Sequence, residues 1–304
     1  MLQEVPSYLS NTSNQMSRGV VTAIAAQKGG TGKTALAGSL ASQWAYAGLR
    51  TLAVDLDQQA NLTFAFAVDP TLLEATVVDV LAPRNAVAVE GTILHDVLGV
   101  PGLDLLPCDE RAEALDTQLR SETMGVFKLK DALEPLLGNY DRVLIDCPPN
   151  VGELAVSALL VADEIVCPVK MGDSNALRGL SRLTQTVEKL NRRGAQVRLK
   201  SLVRVECDHS QLSYRLNREA LELLAGRLEL PVARTELRAR AAWRTAITQD
   251  MPLILLDGSD RGTREAQSDV HHLARELWPH VDFPYPSEIK TQRRASATTD
   301  RRAA

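Results

Sequence analysis

No run of apolar residues in this 304-residue chain approaches the roughly 18–20 that a membrane-spanning helix requires. The opening residues, MLQEVPSYLSNTSNQMSR, have no basic start followed by an apolar stretch, so they do not read as a secretory signal. Residues 1–19 read instead as a polar, flexible arm. Cysteine is scarce: Cys108, Cys147, Cys167 and Cys207 lie far apart and form no CxxC pair. Scattered thiols argue against a structural zinc site and fit a reducing cytosol. A net charge of only −4 says nothing by itself about a polyanionic partner, while a hydrophobic content of 45% supports a substantial core.

The charge is unevenly placed. Residues 20–177 hold 10 lysines and arginines against 21 acids, whereas residues 178–244 hold 15 against 7. Such asymmetry suggests a basic surface on the later segment, suited to a polyanion. Arginines that merely solvate helix faces are the alternative.

The chain is organised around residues 20–50. Residues 20–26 form a short apolar run rich in β-branched side chains, the pattern of a buried strand. A glycine-rich turn follows, Lys28-Gly29-Gly30-Thr31-Gly32-Lys33-Thr34, and residues 35–47 read as a helix ended by Gly48. Strand, glycine loop and helix in that order make a phosphate cradle. Glycines let backbone N–H groups converge on an anion, and the helix N-terminus adds partial positive charge. Lys33 is placed to reach the β- and γ-phosphates and Thr34 to ligate Mg²⁺. A glycine turn that binds nothing is the bland alternative.

Residues 51–55 read as a second strand, with Asp55 and Asp57 at its carboxyl end, where ligands of an open parallel sheet bind. A helix cap is the alternative for such an aspartate. In Tyr140-Asp141-Arg142-Val143-Leu144-Ile145-Asp146-Cys147-Pro148-Pro149 a core strand runs into an aspartate and a proline pair that cannot continue a ladder. This is a Walker B element in form, in which Asp146 would hold Mg²⁺ through water. With no histidine or second cysteine nearby, Cys147 reads as a packing residue. His209 is equally a plain loop residue or a ligand.

Elsewhere, residues 76–81, 126–137, 151–161, 176–190, 212–228 and 265–278 read as helices, and 164–169, 197–205 and 231–235 as strands. The alternation predicts one α/β domain over 20–284, doubly wound, with a mainly parallel sheet and helices on both faces. Beyond 284 the composition turns to Ser, Thr, Ala and Arg (Arg293, Arg294, Arg301, Arg302), which reads as a disordered basic tail.

The loop KGGTGKT, with Gln27 where the general phosphate loop has glycine, resembles the deviant Walker A loop of the ParA/MinD superfamily of ATPases. The DxD and DCPP segments follow in the family's order, and the resemblance spans nearly all of residues 20–280. It implies a P-loop ATPase binding ATP and Mg²⁺. Lys28, Gly29, Gly30, Thr31, Gly32, Lys33, Thr34 and Asp146 would bind the nucleotide. Lys28, Lys33 and Asp57 would be catalytic, Lys28 reaching across a nucleotide-sandwich homodimer and Asp57 orienting the attacking water. Thr34, Asp57 and Asp146 would form the Mg²⁺ shell. Gln58 and Ala60 stand where the family has proline and glycine, which predicts a looser or differently timed switch loop.

Residues 236–246 resemble the family's I-R-x-N-V-R-L-x-E-A segment, with Arg238, Arg240 and Arg244 present but Ala242 at the second arginine. Those three, with Arg215 and Arg218 behind them, are the DNA-contact candidates. The implied function is a ParA-type partition ATPase of weak intrinsic activity, in the cytoplasm on the nucleoid. Its ATP dimer would hold double-stranded DNA without sequence preference, and a ParB-like centromere-binding partner would stimulate hydrolysis and release. A MinD-like membrane-positioning ATPase is the alternative. It needs an apolar helix face near the C-terminus, and residues 287–304 hold one large aliphatic residue, Ile289. The superfamily's electron-transfer or scaffold members would need interface cysteines or a CxxC, and its kinases a tyrosine cluster, where the tail has only Tyr285.

Overall fold

The computed structural model describes residues 18–150, 152–173 and 175–303, with side chains described as far as Ala295. Seven strands form one sheet: β1 (Val20–Ile24), β2 (Thr51–Asp55), β3 (Leu103–Leu106), β4 (Arg142–Asp146), β5 (Glu164–Lys170), β6 (Arg198–Cys207) and β7 (Leu237–Arg238). Their order is β3-β2-β4-β1-β5-β6-β7, every neighbouring pair parallel. The helices are α1 (Lys33–Tyr46), α2 (Asn61–Ala65), α3 (Val77–Val80), α4 (Ala112–Ser121), α5 (Lys128–Leu133), α6 (Glu153–Val161), α7 (Ala176–Asn191), α8 (Leu212–Arg227), α9 (Ala241–Thr248), α10 (Arg261–Leu277) and α11 (Pro286–Ala303).

The sheet is covered on both faces because its strands alternate without interruption between two buried sides. In β4, Val143 and Ile145 join a core with α3–α8, while Leu144 joins the other with α1, α9 and α10. On that second face Trp44 of α1 meets Trp278 edge-on at 4.7 Å between ring centroids. Starts of β1, β4 and β5 carry a buried polar cluster: Glu164 accepts from Thr22 Oγ1 at 3.1 Å and Trp278 Nε1 at 2.8 Å, with Arg142, Arg198 and Lys200 as counter-charges. That cluster satisfies a carboxylate at the end of the sheet opposite the glycine loop.

Several expectations are corrected. The stretch 126–137 is not one helix: Pro135 has no N–H to continue it, so α5 lies between two 3₁₀ turns, Gly125–Phe127 and Glu134–Asn139. At 231–235 a single bridge, Leu202 to Val232, replaces a strand, and β7 falls just after it. The arm expected at 1–19 lies outside the described residues up to 17. Arg18, by contrast, pairs with Asp163, and Gly19 N donates to Leu137 O at 2.7 Å. The basic tail expected to be disordered is helical as α11. Pro286 starts it, Glu288 accepts from Tyr285 N at 2.6 Å, and Ile289 enters the core at 1% exposure. One anchored isoleucine overrides a composition that on its own favours disorder.

Candidate nucleotide site

β1 ends at the centre of the sheet, and the chain turns sharply before entering α1. Gly30 and Gly32 have φ of 70° and 72°, the left-handed region that only glycine enters cheaply. A Cβ at either would meet nothing within 4 Å, so the backbone requires glycine here and the space beside it is open. Gly32 caps α1 with no side-chain hydrogen bond, and no acid lies in the first turn. The helix therefore presents its N–H groups to an anion without a protein side chain competing. Lys33, 5% exposed, donates from Nζ to Lys28 O at 3.4 Å. Lys28 folds back on Asp173, and that ion pair depresses the Asp173 carboxyl.

Opposite the loop, register brings three strand ends together: Asp146 sits beside Ile24 of β1 and Asp55 of β2. Asp55 is fully buried. One oxygen accepts Asp57 N at 3.1 Å and the other accepts Thr63 N and Oγ1, each at 2.9 Å. Burial pushes its carboxyl up to about 6 against those hydrogen bonds. Asp55 thus organises the turn that aims Asp57, a role the residues alone did not reveal. Asp57, 5% exposed, accepts Gln59 N at 3.1 Å.

Asp146 differs from both. It is fully buried, and neither carboxylate oxygen has a partner at ordinary hydrogen-bond distance, the Thr34 hydroxyl being near enough only to lower its carboxyl. Burial and then the Asp55 charge raise its carboxyl well above the usual range, while Lys33 and Thr34 oppose this. An orphaned buried carboxylate is costly unless a cation or ordered water satisfies it. Among the described residues no cluster of three or more ligating side chains could hold a metal alone. That suits Mg²⁺, which takes one or two protein ligands and completes its shell with waters and substrate phosphates. Asp146 and Thr34 fit it.

The switch loop holds one strained residue. Ala60 N donates to Asp57 O at 2.8 Å, and Ala60 itself sits at φ 50°, ψ 28° while 3% exposed. Alanine in that region costs about 1–2 kcal/mol against glycine. Ala60→Gly is therefore expected to stabilise the apoprotein by about 0.5–1 kcal/mol after the unfolded-chain entropy is counted, read from urea unfolding. No gain would mean the loop relaxes around alanine.

Two cavities flank the loop. One, of about 340 Å³, is lined by the glycines, Lys33 and Asp57 and, on another side, by Asp250, Met251 and Pro252. The second, of about 510 Å³, is mostly apolar and lies between Thr31, Val205, Leu237 and Trp243. The Trp243 ring is held by Nε1 donating to Arg238 O at 3.2 Å. Neither Trp243 nor the 250–252 wall carries a motif that a reading of residues would select.

The basic candidates are not equivalent. Arg215, Arg238 and Arg244 are exposed, and Arg218 is paired within α8 to Glu222 at 2.9 Å. Arg240 is largely covered: its guanidinium meets Glu265 at 2.5 Å and Asp269 at 3.7 Å on α10. It ties α9 to α10, which removes it from the leading DNA-contact group. His209 is bonded to Glu236 at 2.7 Å and stacked on Tyr214, a loop contact. All four cysteines are buried and free, and burial raises each thiol above its ordinary pKa, which makes them inert packing residues. No helix among the described residues is long and apolar enough to cross a membrane.

Comparison with known proteins agrees with this geometry. A family model described as an AAA domain, AAA_31, matches residues 19–205. The chromosome partitioning protein ParA of Caulobacter vibrioides is 36% identical over 172 residues, 56% of this chain and 62% of that protein. The sporulation initiation inhibitor Soj of Bacillus subtilis is 36% identical over the same length, covering 56% and 65%. The match thus spans somewhat less than two thirds of these relatives. The cell division protein PomZ of Myxococcus xanthus is 29% identical over 82% of this chain and 76% of its own. Among solved structures, a cobyrinic acid a,c-diamide synthase from Mycobacterium smegmatis, with bound ADP and magnesium, superposes with TM-score 0.68 at 26% identity, covering 88% of this chain and 98% of that one. An ATP complex of a Cyanothece McdA variant gives TM-score 0.74 at 21% identity, covering 86% and 97%, and shares the fold. The chain belongs to the AAA-domain family that its residues 19–205 match, as a relative of the ParA and Soj proteins with a doubly wound P-loop fold.

Proposed function

We propose that this protein is an ATP-dependent DNA-partition ATPase. The observation that carries the reading is the pairing of an uncapped glycine cradle and Lys33 with Asp57 and the orphaned Asp146 at adjacent strand ends. The N–H groups of residues 29–34 and the Lys33 ammonium would hold the β- and γ-phosphates, leaving the base for the apolar cavity beside Trp243. Thr34 and Asp146 would hold Mg²⁺, with Asp57 in its outer shell. The ion neutralises phosphate charge during transfer. Asp57 would orient the attacking water.

Lys28 would act on the phosphates of a second copy, making ATP the condition for a homodimer. Its partly exposed pair with Asp173 opposes this only weakly, because such surface pairs contribute about 0–1 kcal/mol. Dimerisation would then join two basic surfaces, and linked contacts multiply affinity. DNA would be held through its phosphates without sequence preference, on the nucleoid, until hydrolysis stimulated by a ParB-like centromere-binding partner released it.

The test is retention of double-stranded DNA with and without ATP. Retention is expected only with ATP and should fall steeply with salt. Replacing Arg238 and Arg244 by alanine should weaken it about tenfold on any sequence and lower the salt slope by roughly 2 per protomer. Basal ATPase activity should hold. Truncation after residue 295 removes Arg301 and Arg302 while sparing the Ile289 anchor, and retention should survive it. Complete loss on truncation, with the arginine pair indifferent, would overturn the folded-surface assignment.

A further inference from the structure

We propose that Arg293, on the C-terminal helix, is a positioning residue that holds the Met251–Pro252 wall of the nucleotide cavity. The proposal rests on the nucleotide-site reading above. The wall is a short, awkward piece of backbone. Asp250 enters it at φ 44°, Pro252 offers no N–H, and residues 253–255 make a single 3₁₀ turn whose side chains are all in the core. Pro252 lies against α1: its Cγ is 3.6 Å from where a Cβ on Gly38 would be. Movement of this turn therefore moves a surface shared by the cavity and the helix that begins at the phosphate loop.

A 3₁₀ turn leaves its last carbonyls without intrahelical donors. Here they are met from two sides. The buried Gln267 amide of α10 donates to Leu253 O at 3.1 Å and Leu256 O at 2.8 Å. Leu255 O receives Arg293 Nη1 at 2.5 Å, and the same nitrogen lies 3.8 Å from Met251 Sδ. One guanidinium thus touches both the lining residue Met251 and the end of the turn behind it. Lys290 pairs with Asp257 one residue beyond, and Ile289 fixes α11 in place. A cation at the carbonyl end of a helical turn is favourable in charge as well as in hydrogen bonding. Arg293 touches neither the phosphate loop nor the acids; it acts through the wall.

Two measurements on the full chain test this: equilibrium binding of a fluorescent ATP analogue with Mg²⁺, and amide hydrogen exchange without nucleotide. Arg293→Ala should raise the Kd about fivefold, less than the full loss of a charge-assisted hydrogen bond to the ligand, because Arg293 reaches the nucleotide only through the wall. Exchange should quicken at residues 251–256 and stay unchanged in the sheet. Arg293→Lys, which can still donate to Leu255 O, should recover most of the affinity. A Kd within about twofold of the parent's, or exchange that rises equally across the sheet, would overturn the proposal. Failure of the parent protein to bind the analogue would sink the nucleotide reading instead, whereas the exchange pattern reports on Arg293 independently.

Discussion

Lys33→Ala is expected to abolish ATP binding at micromolar concentrations while leaving the protein folded. The site gathers acidic groups before any ligand arrives: Asp55, Asp57 and Asp146 are all buried beside it. Lys33 is the buried cation facing them, and its charge opposes the upward shift of the Asp146 carboxyl. A triphosphate adds further negative charge to that neighbourhood. The ammonium supplies charge-assisted hydrogen bonds to it, each worth about 1.5–3 kcal/mol, so losing two of them weakens binding at least about a hundredfold. Alanine also leaves the orphaned Asp146 without its countercharge. Titration with a labelled ATP analogue and Mg²⁺, with circular dichroism as the folding control, reads the effect. A folded variant that binds within tenfold of the parent would remove Lys33 from the phosphate site.

What could be read from residues, and what could not, follows a physical division. The phosphate loop was legible because its backbone needs positive φ at Gly30 and Gly32, and such turns restrict sequence. The strand ending in Asp146 was legible because an apolar run must stop where two prolines stop it. Helices with a strong apolar face, such as α7, were also placed well. Partners far apart along the chain were not legible. Asp173 meets Lys28 across 145 positions, and Glu265 meets Arg240 from another helix, so neither pairing leaves a local trace. The wall at 250–252 is defined by what packs behind it. Helix α11 was missed because one buried isoleucine in a polar, arginine-rich segment carries too little periodicity to distinguish a docked helix from a loose tail.

Asp57→Ala separates binding from chemistry. The variant is expected to bind ATP within about threefold of the parent while turning it over about a hundredfold more slowly, the scale of a lost general-base or water-positioning group. Binding should persist because the cradle, Lys33 and Asp146 are untouched. The turn should persist because its anchor is Asp55, whose oxygens hold Asp57 N and Thr63, and neither bond uses the Asp57 side chain. One Asp57 oxygen accepts Gln59 N, which leaves the carboxylate oriented and its second oxygen to take a water. Asp55→Ala provides the contrast. It removes three hydrogen bonds at once from a fully buried position, so it should lower stability and impair binding and turnover together. Single-turnover ATP hydrolysis beside equilibrium binding distinguishes the two variants. Parental turnover in folded Asp57→Ala would withdraw the catalytic assignment and leave Asp57 as a residue of the turn alone.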